Sequence, residues 1–103
     1  MSTNVTPMRI DGAAVEADDH TSVFSPYDGR ELGRVPKGTE ADVNNAVAVA
    51  LDRHRGGAPA AHERAEILDR AAVALTERHE EFAQATSAEA AKPIATARVE
   101  AAR

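Results

Sequence analysis

Cysteine and tryptophan are both missing from these 103 residues. Without a thiol the chain has no disulfide, no thiolate metal ligand and no cysteine nucleophile of its own. Aromatic residues are scarce as well: Phe24, Tyr27 and Phe82 make up 3% of the chain. Aromatic side chains supply much of the buried area of a core, so this core is thin. A chain of this length also buries only about 60–65% of its unfolded surface. Long apolar runs are missing too. None approaches the ~20 residues of a membrane span, and residues 1–20 lack the apolar centre of a secretory signal. Positive charge is in deficit, with 12 Lys and Arg against 17 Asp and Glu and a net charge of −5. That balance removes the basic patch on which nucleic-acid affinity depends. The expectation is a cytoplasmic protein with no membrane and no nucleic-acid partner.

What is present divides the chain into three stretches. Residues 1–7 carry no pattern and are expected to be a disordered arm. Residues 8–38 hold turn signals and little helical periodicity. In "MRIDGAAVE", Asp11-Gly12 lies between two short apolar runs, and both residue types tolerate positive φ, so the segment is a hairpin signal. "VFSPYDGRELGRV" repeats the theme with a wider turn, in which Pro26 presets φ and Asp28-Gly29 supplies a left-handed position.

Residues 39–103 read as helices. Thr39 is an N-cap, with Glu40 and Asp42 beside the positive end of the helix dipole. Val43, Ala46, Val47, Ala50 and Leu51 follow at i, i+3, i+4, i+7 and i+8, an apolar stripe expected to face the core, and Gly56-Gly57 stops the helix. The second helix is expected to run unbroken through residues 59–91, with Pro59 in its first turn and Ile67, Leu68, Ala71, Ala72, Leu75, His79, Phe82 and Ala83 on one face. These two helices are expected to pair as an antiparallel hairpin. Pro93 ends the second near Ala91 and opens a third bearing Ile94, Ala97, Val99 and Ala101. The end of that third helix, over residues 98–103, is expected to fray for want of packing.

Candidate chemistry is sparse. His20, His54, His62 and His79 show no i, i+4 pair, and zinc requires three or four converging ligands. Lys37-Gly38-Thr39 has neither the upstream glycines nor the residue order of a phosphate loop, and Gly29 with Gly33 makes no dinucleotide fingerprint. Glu77–Glu81, "ERHEE", reads as a charge run on a solvated helix flank. No catalytic, cofactor-binding or metal-binding residue is assigned within this chain.

The order of the motifs is more informative than any one of them. Ser25-Pro26-Tyr27-Asp28-Gly29, the helix start Thr39 to Val43, Glu63-Arg64 with Ile67-Leu68, and the junction Glu89 to Pro93 follow one another at set spacing. Over residues 8–103 this resembles the amino-terminal portion of the aldehyde dehydrogenase superfamily. Two positions depart from the pattern. Ala91 stands where the family usually has glycine, and is expected to keep a negative φ through a tighter or longer helix end. Ser25 stands where asparagine is common, which is expected to remove a side chain that bonds its own turn. The closing Lys92-Pro93-Ile94, with Ala97, Arg98 and Glu100, is most similar to the branch holding lactaldehyde, phosphonoacetaldehyde and non-phosphorylating glyceraldehyde-3-phosphate dehydrogenases.

The resemblance implies an α/β cofactor-binding domain to which this region contributes two short β-hairpins, a long helical pair and the start of a third helix. It implies a longer enzyme that oxidises an aldehyde to the acid with NAD or NADP through a cysteine thiohemiacetal, working as a homo-oligomer. The oxyanion would be held by an asparagine amide and a backbone N–H, and a glutamate would activate water. No dinucleotide is expected on this chain alone, whose role would be scaffolding. One other reading stays open: a stand-alone acidic helical module that binds a protein partner through the apolar stripe of residues 67–83.

Overall fold

The computed structural model describes residues 4–103; the expectation for residues 1–3 lies outside the described residues. Four strands precede four helices: β1 (Met8–Ile10), β2 (Ala13–Val15), β3 (His20–Phe24), β4 (Glu31–Pro36), α1 (Glu40–Arg55), α2 (Ala61–Glu77), α3 (His79–Ala90) and α4 (Ile94–Ala101). The chain forms two compact units. One comprises residues up to Val23 together with Glu31–Ala58; the other comprises Phe24–Arg30 and Pro59–Arg103. The two helices expected to pair, α1 and α2, therefore belong to different units.

In the first unit β1 and β2 pair antiparallel, with Ile10 opposite Ala13 across the turn. Asp11 and Gly12 hold φ of 53° and 76°, two successive left-handed positions. That pair of conformations matches the strand twist, and a glycine at the second position adopts it without steric cost. β3 and β4 form the second two-stranded sheet. Residues 4–6 are not the disordered arm expected of residues 1–7. Val5 bridges Arg34 in parallel, Thr6 N–H donates to the Arg34 carbonyl at 2.9 Å, and Arg34 N–H donates to the Asn4 carbonyl at 2.9 Å. The free edge of β4 offers unpaired backbone groups, and the arm satisfies them.

α1 begins with a reciprocal cap. Asp42 N–H donates to Thr39 Oγ1 at 3.2 Å, and Thr39 N–H donates to Asp42 Oδ2 at 2.8 Å. The Thr39 backbone bond, followed by the hydroxyl bond, holds the Asp42 carboxyl below its ordinary value. The helix ends at Arg55, and Gly57 takes φ 85°, the left-handed stop that the sequence signals. The face α1 turns to its own unit differs from the expected one. Asp42, Ala46 and Val49 are half-buried, whereas Val43, Val47 and Leu51 are exposed. Arg53 reaches Asp11 at 3.2 Å and α1 packs on β1, so the short hairpin, not the larger apolar stripe, decides which side is covered.

In the second unit the expected helix over residues 59–91 is two helices. Arg78, at φ −107° and ψ 19°, separates α2 from α3. Its guanidinium forks onto Glu81 and lies over the Phe82 ring, 5.2 Å from the centroid, which pins the joint to the first turn of α3. No proline or glycine marks this break, so periodicity alone passed over it. Pro59 lies just outside α2, whose first turn is closed by the Ala60 N–H donating to Glu63 Oε2 at 3.0 Å. α4 is not a frayed remnant. It packs closely on α3, and Ala97 and Ala83, one on each helix, are both 0% exposed. Small side chains at the contact let the two helix axes approach.

Between α3 and α4, Ala91 adopts φ 51° and ψ 34°. The expectation of a negative φ is overturned. Pro93 stops the helix, and the chain has to reverse within Ala91-Lys92 to bring α4 back onto α3, which only the left-handed position achieves. For a residue with a Cβ this conformation costs about 1–2 kcal/mol. Ala91→Gly is therefore expected to raise the unfolding free energy by about 1 kcal/mol, and Ala91→Val to lower it by at least as much. Urea titration followed by far-UV circular dichroism checks both.

Candidate functional site

The best-organised polar geometry lies within the second unit, around the α3–α4 turn and the loop of residues 24–30. Ser25 is buried at 5% exposure. Its Oγ accepts from the Tyr27 N–H at 3.3 Å, its N–H donates to the Arg30 carbonyl at 2.9 Å, and its carbonyl accepts from the Gly29 N–H at 2.9 Å. Serine thus makes the bond to its own turn that its replacement of asparagine was expected to remove; the hydroxyl is short, but the turn is tight enough for it to reach. Gly29 has φ 74°, the left-handed position expected at Asp28-Gly29.

On the helical side, Ser87 Oγ donates to the Lys92 carbonyl at 2.7 Å, which ties the end of α3 to the reversal. Lys92 Nζ donates to both Glu100 oxygens, at 2.7 and 2.8 Å. Ser25, Tyr27, Arg30, Ser87 and Lys92 border a shallow cleft of about 480 Å³. Its two cations are already engaged, Lys92 by Glu100 and Arg30 by Asp28 at 3.8 Å. The cleft holds no thiol, no histidine and no carboxylate free of a cation, and the Ser25 and Ser87 hydroxyls are held in structural bonds with no base beside them to activate either.

The other end of α4 is clasped to the start of α3. Arg98 forks onto Glu80, with Nε at 3.0 Å from Oε2 and Nη2 at 2.9 Å from Oε1. Gln84 Nε2 adds a third donor to Glu80 Oε1 at 2.8 Å. These bonds, Arg98 first and Gln84 second, lower the Glu80 carboxyl to about 2. His79 Nε2 lies 2.8 Å from the Arg98 carbonyl. A carbonyl only accepts, so Nε2 carries the proton, and His79 is a structural donor. The run Glu77–Glu81 is solvent-exposed as expected at Glu80 and Glu81, yet it also supplies the clasp. Sequence periodicity missed this pairing because Glu80 and Arg98 are 18 residues apart and meet only once the chain reverses.

The remaining histidines are dispersed: His20 in β3, His54 in the last turn of α1 and His62 in the first turn of α2. Among the described residues no three His, Asp or Glu side chains come together to hold a metal. Thr39 of Lys37-Gly38-Thr39 caps α1. The stripe of residues 67–83, on which a stand-alone interaction module would rely, is not one surface. The joint at Arg78 divides it, and Ala83 is covered. Lys92, Ala97, Arg98 and Glu100 all have structural partners or burial, so the motif shared with the lactaldehyde branch is explained by packing.

A family model for the aldehyde dehydrogenase family matches residues 14–103. The chain belongs to that family. Among curated relatives, a 3-sulfolactaldehyde dehydrogenase of Pseudomonas putida is 38% identical over 94 residues, covering 85% of this chain and 19% of that protein. An aldehyde-dehydrogenase-like protein of Sinorhizobium fredii is 40% identical over 84 residues, 77% of this chain and 16% of its own. Among solved structures, aldehyde dehydrogenase 21 from Physcomitrella patens, crystallised with the reaction product succinate, superposes with a TM-score of 0.91 at 27% identity, over 98% of this chain and 21% of that one. An NAD-dependent aldehyde dehydrogenase from Sinorhizobium meliloti gives 0.84 at 31% identity, over 97% and 21%. The chain thus spans about a fifth of these relatives. Its hairpins and helices are a portion of an aldehyde dehydrogenase α/β fold, and they include the broken α2–α3 pair and the αL turn at Ala91.

The clasp predicts an acid response. Glu80 has a folded-state value of about 2 against an ordinary 4.5, so the stability it contributes is complete above about 4.5 and is lost as pH falls towards 2. Helix content followed from pH 6 to pH 2 is expected to fall across that window. Glu80→Gln, which keeps the shape but removes the charge, is expected to lower stability at pH 6 to 8, where the ionised Glu80 contributes fully, and so to flatten the fall towards pH 2.

Proposed function

We propose that this chain is the amino-terminal scaffold of an enzyme that oxidises an aldehyde to the corresponding acid with NAD or NADP. The observation that carries the reading is the family match over residues 14–103, joined by the superposition over 98% of the chain on a solved aldehyde dehydrogenase. Nothing in the described residues supplies the chemistry. The thiolate that attacks the aldehyde, the amide and backbone N–H that hold the oxyanion, and the glutamate that activates water would all come from the rest of the enzyme. These 103 residues would support the cofactor-binding domain, with Val43, Val47, Ile67, Leu68 and Leu75 offering apolar surface on α1 and α2.

The substrate we propose is a small aldehyde of the lactaldehyde kind. The relative named for 3-sulfolactaldehyde supports this. The Lys92-to-Glu100 motif does not, since packing accounts for it. NAD is the cofactor favoured, since the similar Sinorhizobium meliloti enzyme is NAD-dependent, with NADP the alternative. We further place the enzyme in the cytoplasm as a homo-oligomer; among the described residues no helix is long and apolar enough to cross a membrane.

The isolated chain is expected to give no aldehyde-dependent reduction of NAD or NADP, because it has no thiol to form the thiohemiacetal. The full-length protein, assayed with lactaldehyde, sulfolactaldehyde and phosphonoacetaldehyde and each cofactor, is expected to turn over at least one of them. Turnover by the purified 103-residue chain, or inactivity of the full-length protein towards all three, would count against the reading.

A further inference from the structure

Residues 4–6 lie as a short extra strand along the free edge of β4. Arg34 N–H donates to the Asn4 carbonyl and Thr6 N–H donates to the Arg34 carbonyl, each at 2.9 Å, with Val5 bridging Arg34 in parallel. Three residues fit this seat. Gly33 makes room: a Cβ there would stand 3.1 Å from the Asn4 carbonyl oxygen, closer than side-chain carbons ordinarily come. Positive φ is held by Gly12, Gly29 and Gly57 but not by Gly33, so space and not backbone conformation calls for glycine at this position. Pro36 ends the ladder. Alternate residues of a strand face the same edge, and Pro36, two beyond Arg34, has no N–H to donate. Pro7 in turn holds the preceding Thr6 extended, as a strand requires.

We infer that residues 4–6 are a latch on the β4 edge, admitted by Gly33 and able to open while the rest of its unit stays folded. The seat consists of backbone bonds, with Val5 half-buried and Asn4 and Thr6 exposed. A segment with exposed backbone bonds and little apolar burial opens well below the free energy of global unfolding. The elements beneath do not depend on it, since β4 keeps β3 as its partner and α1 packs on β1. Closed, the latch satisfies the N–H and C=O of Arg34; open, it leaves both unpaired on a strand edge. A side chain at position 33 would crowd the Asn4 carbonyl and tip the balance towards open. Glycine ordinarily weakens a strand interior, so its place in β4 is accounted for by the latch and not by the sheet. The inference concerns contacts within this chain and does not rest on the aldehyde dehydrogenase reading.

Amide hydrogen exchange of the 103-residue chain, read residue by residue by NMR, is the test. In the wild type the Thr6 and Arg34 amides are expected to exchange at least about tenfold more slowly than in an unstructured chain, yet faster than amides in the middle of α1. Gly33→Ala is expected to speed both by about tenfold. The Lys37 amide, bonded to the Asp19 carbonyl at 2.8 Å, and the middle of α1 should not change. A loss confined to Thr6 and Arg34 separates release of the latch from a weakened sheet. Thr6→Pro deletes the donor to Arg34 without touching β4, and is expected to free the Arg34 amide to the same extent. Three results would overturn the inference: Thr6 and Arg34 amides that are unprotected, or no faster than α1, in the wild type; protection that survives both substitutions; or a loss in Gly33→Ala that spreads through the whole unit.

Discussion

The second unit depends on the approach of α4 to α3. Ala83 and Ala97 are covered completely, and the two helices that carry them pack closely. Such small side chains contribute little area, so close contact has to replace bulk, and the polar bonds at the two ends of α4 have to fix its position. Arg98 on Glu80 and His79 on the Arg98 carbonyl secure its last turn to α3; Ser87 on the Lys92 carbonyl secures the turn before its start, and Lys92 on Glu100 spans α4 itself. The left-handed Ala91 follows from the same requirement, because α4 cannot return to α3 without a reversal of that hand.

Exposed ion pairs contribute little individually, typically 0–1 kcal/mol. The clasp differs in geometry more than in strength. Glu80 accepts a two-pronged guanidinium and an amide at once, and this convergence, not burial, lowers its carboxyl. Its role is to set the register of two helices whose apolar contact is too small to do so. The same economy appears in the first unit, where the capping box at Thr39 and Asp42 and the ion pair between Arg53 and Asp11 position a helix whose apolar side chains are covered only in part, at Ala46 and Val49.

A scaffold portion of an aldehyde dehydrogenase would have this character. Its polar bonds are made within each unit, while its larger apolar side chains remain open on α1 and α2. The cleft beside Lys92 holds no free base to activate its hydroxyls. The residues most distinctive in sequence, those of the Lys92-to-Glu100 motif, serve packing. Family identity is therefore legible in this chain while the chemistry of the family is not held by it.

Short-range chemistry was decided by the sequence alone. Asp11-Gly12 and Asp28-Gly29 dictate turns because few residues adopt positive φ; Thr39 with Asp42 dictates a helix start, and Gly57 and Pro93 dictate helix ends. The absence of cysteine decides that no thiol chemistry occurs here. Four features waited for the tertiary structure. One is the break at Arg78, which carries no breaker residue and is pinned by Glu81 and Phe82. Another is the covered face of α1, chosen by a three-residue strand over a larger apolar stripe. The strained φ of Ala91 is the third and the Glu80–Arg98 clasp the fourth. Periodicity and propensity report on neighbours within one or two turns, and these four depend on groups that become neighbours only after the chain has folded back on itself.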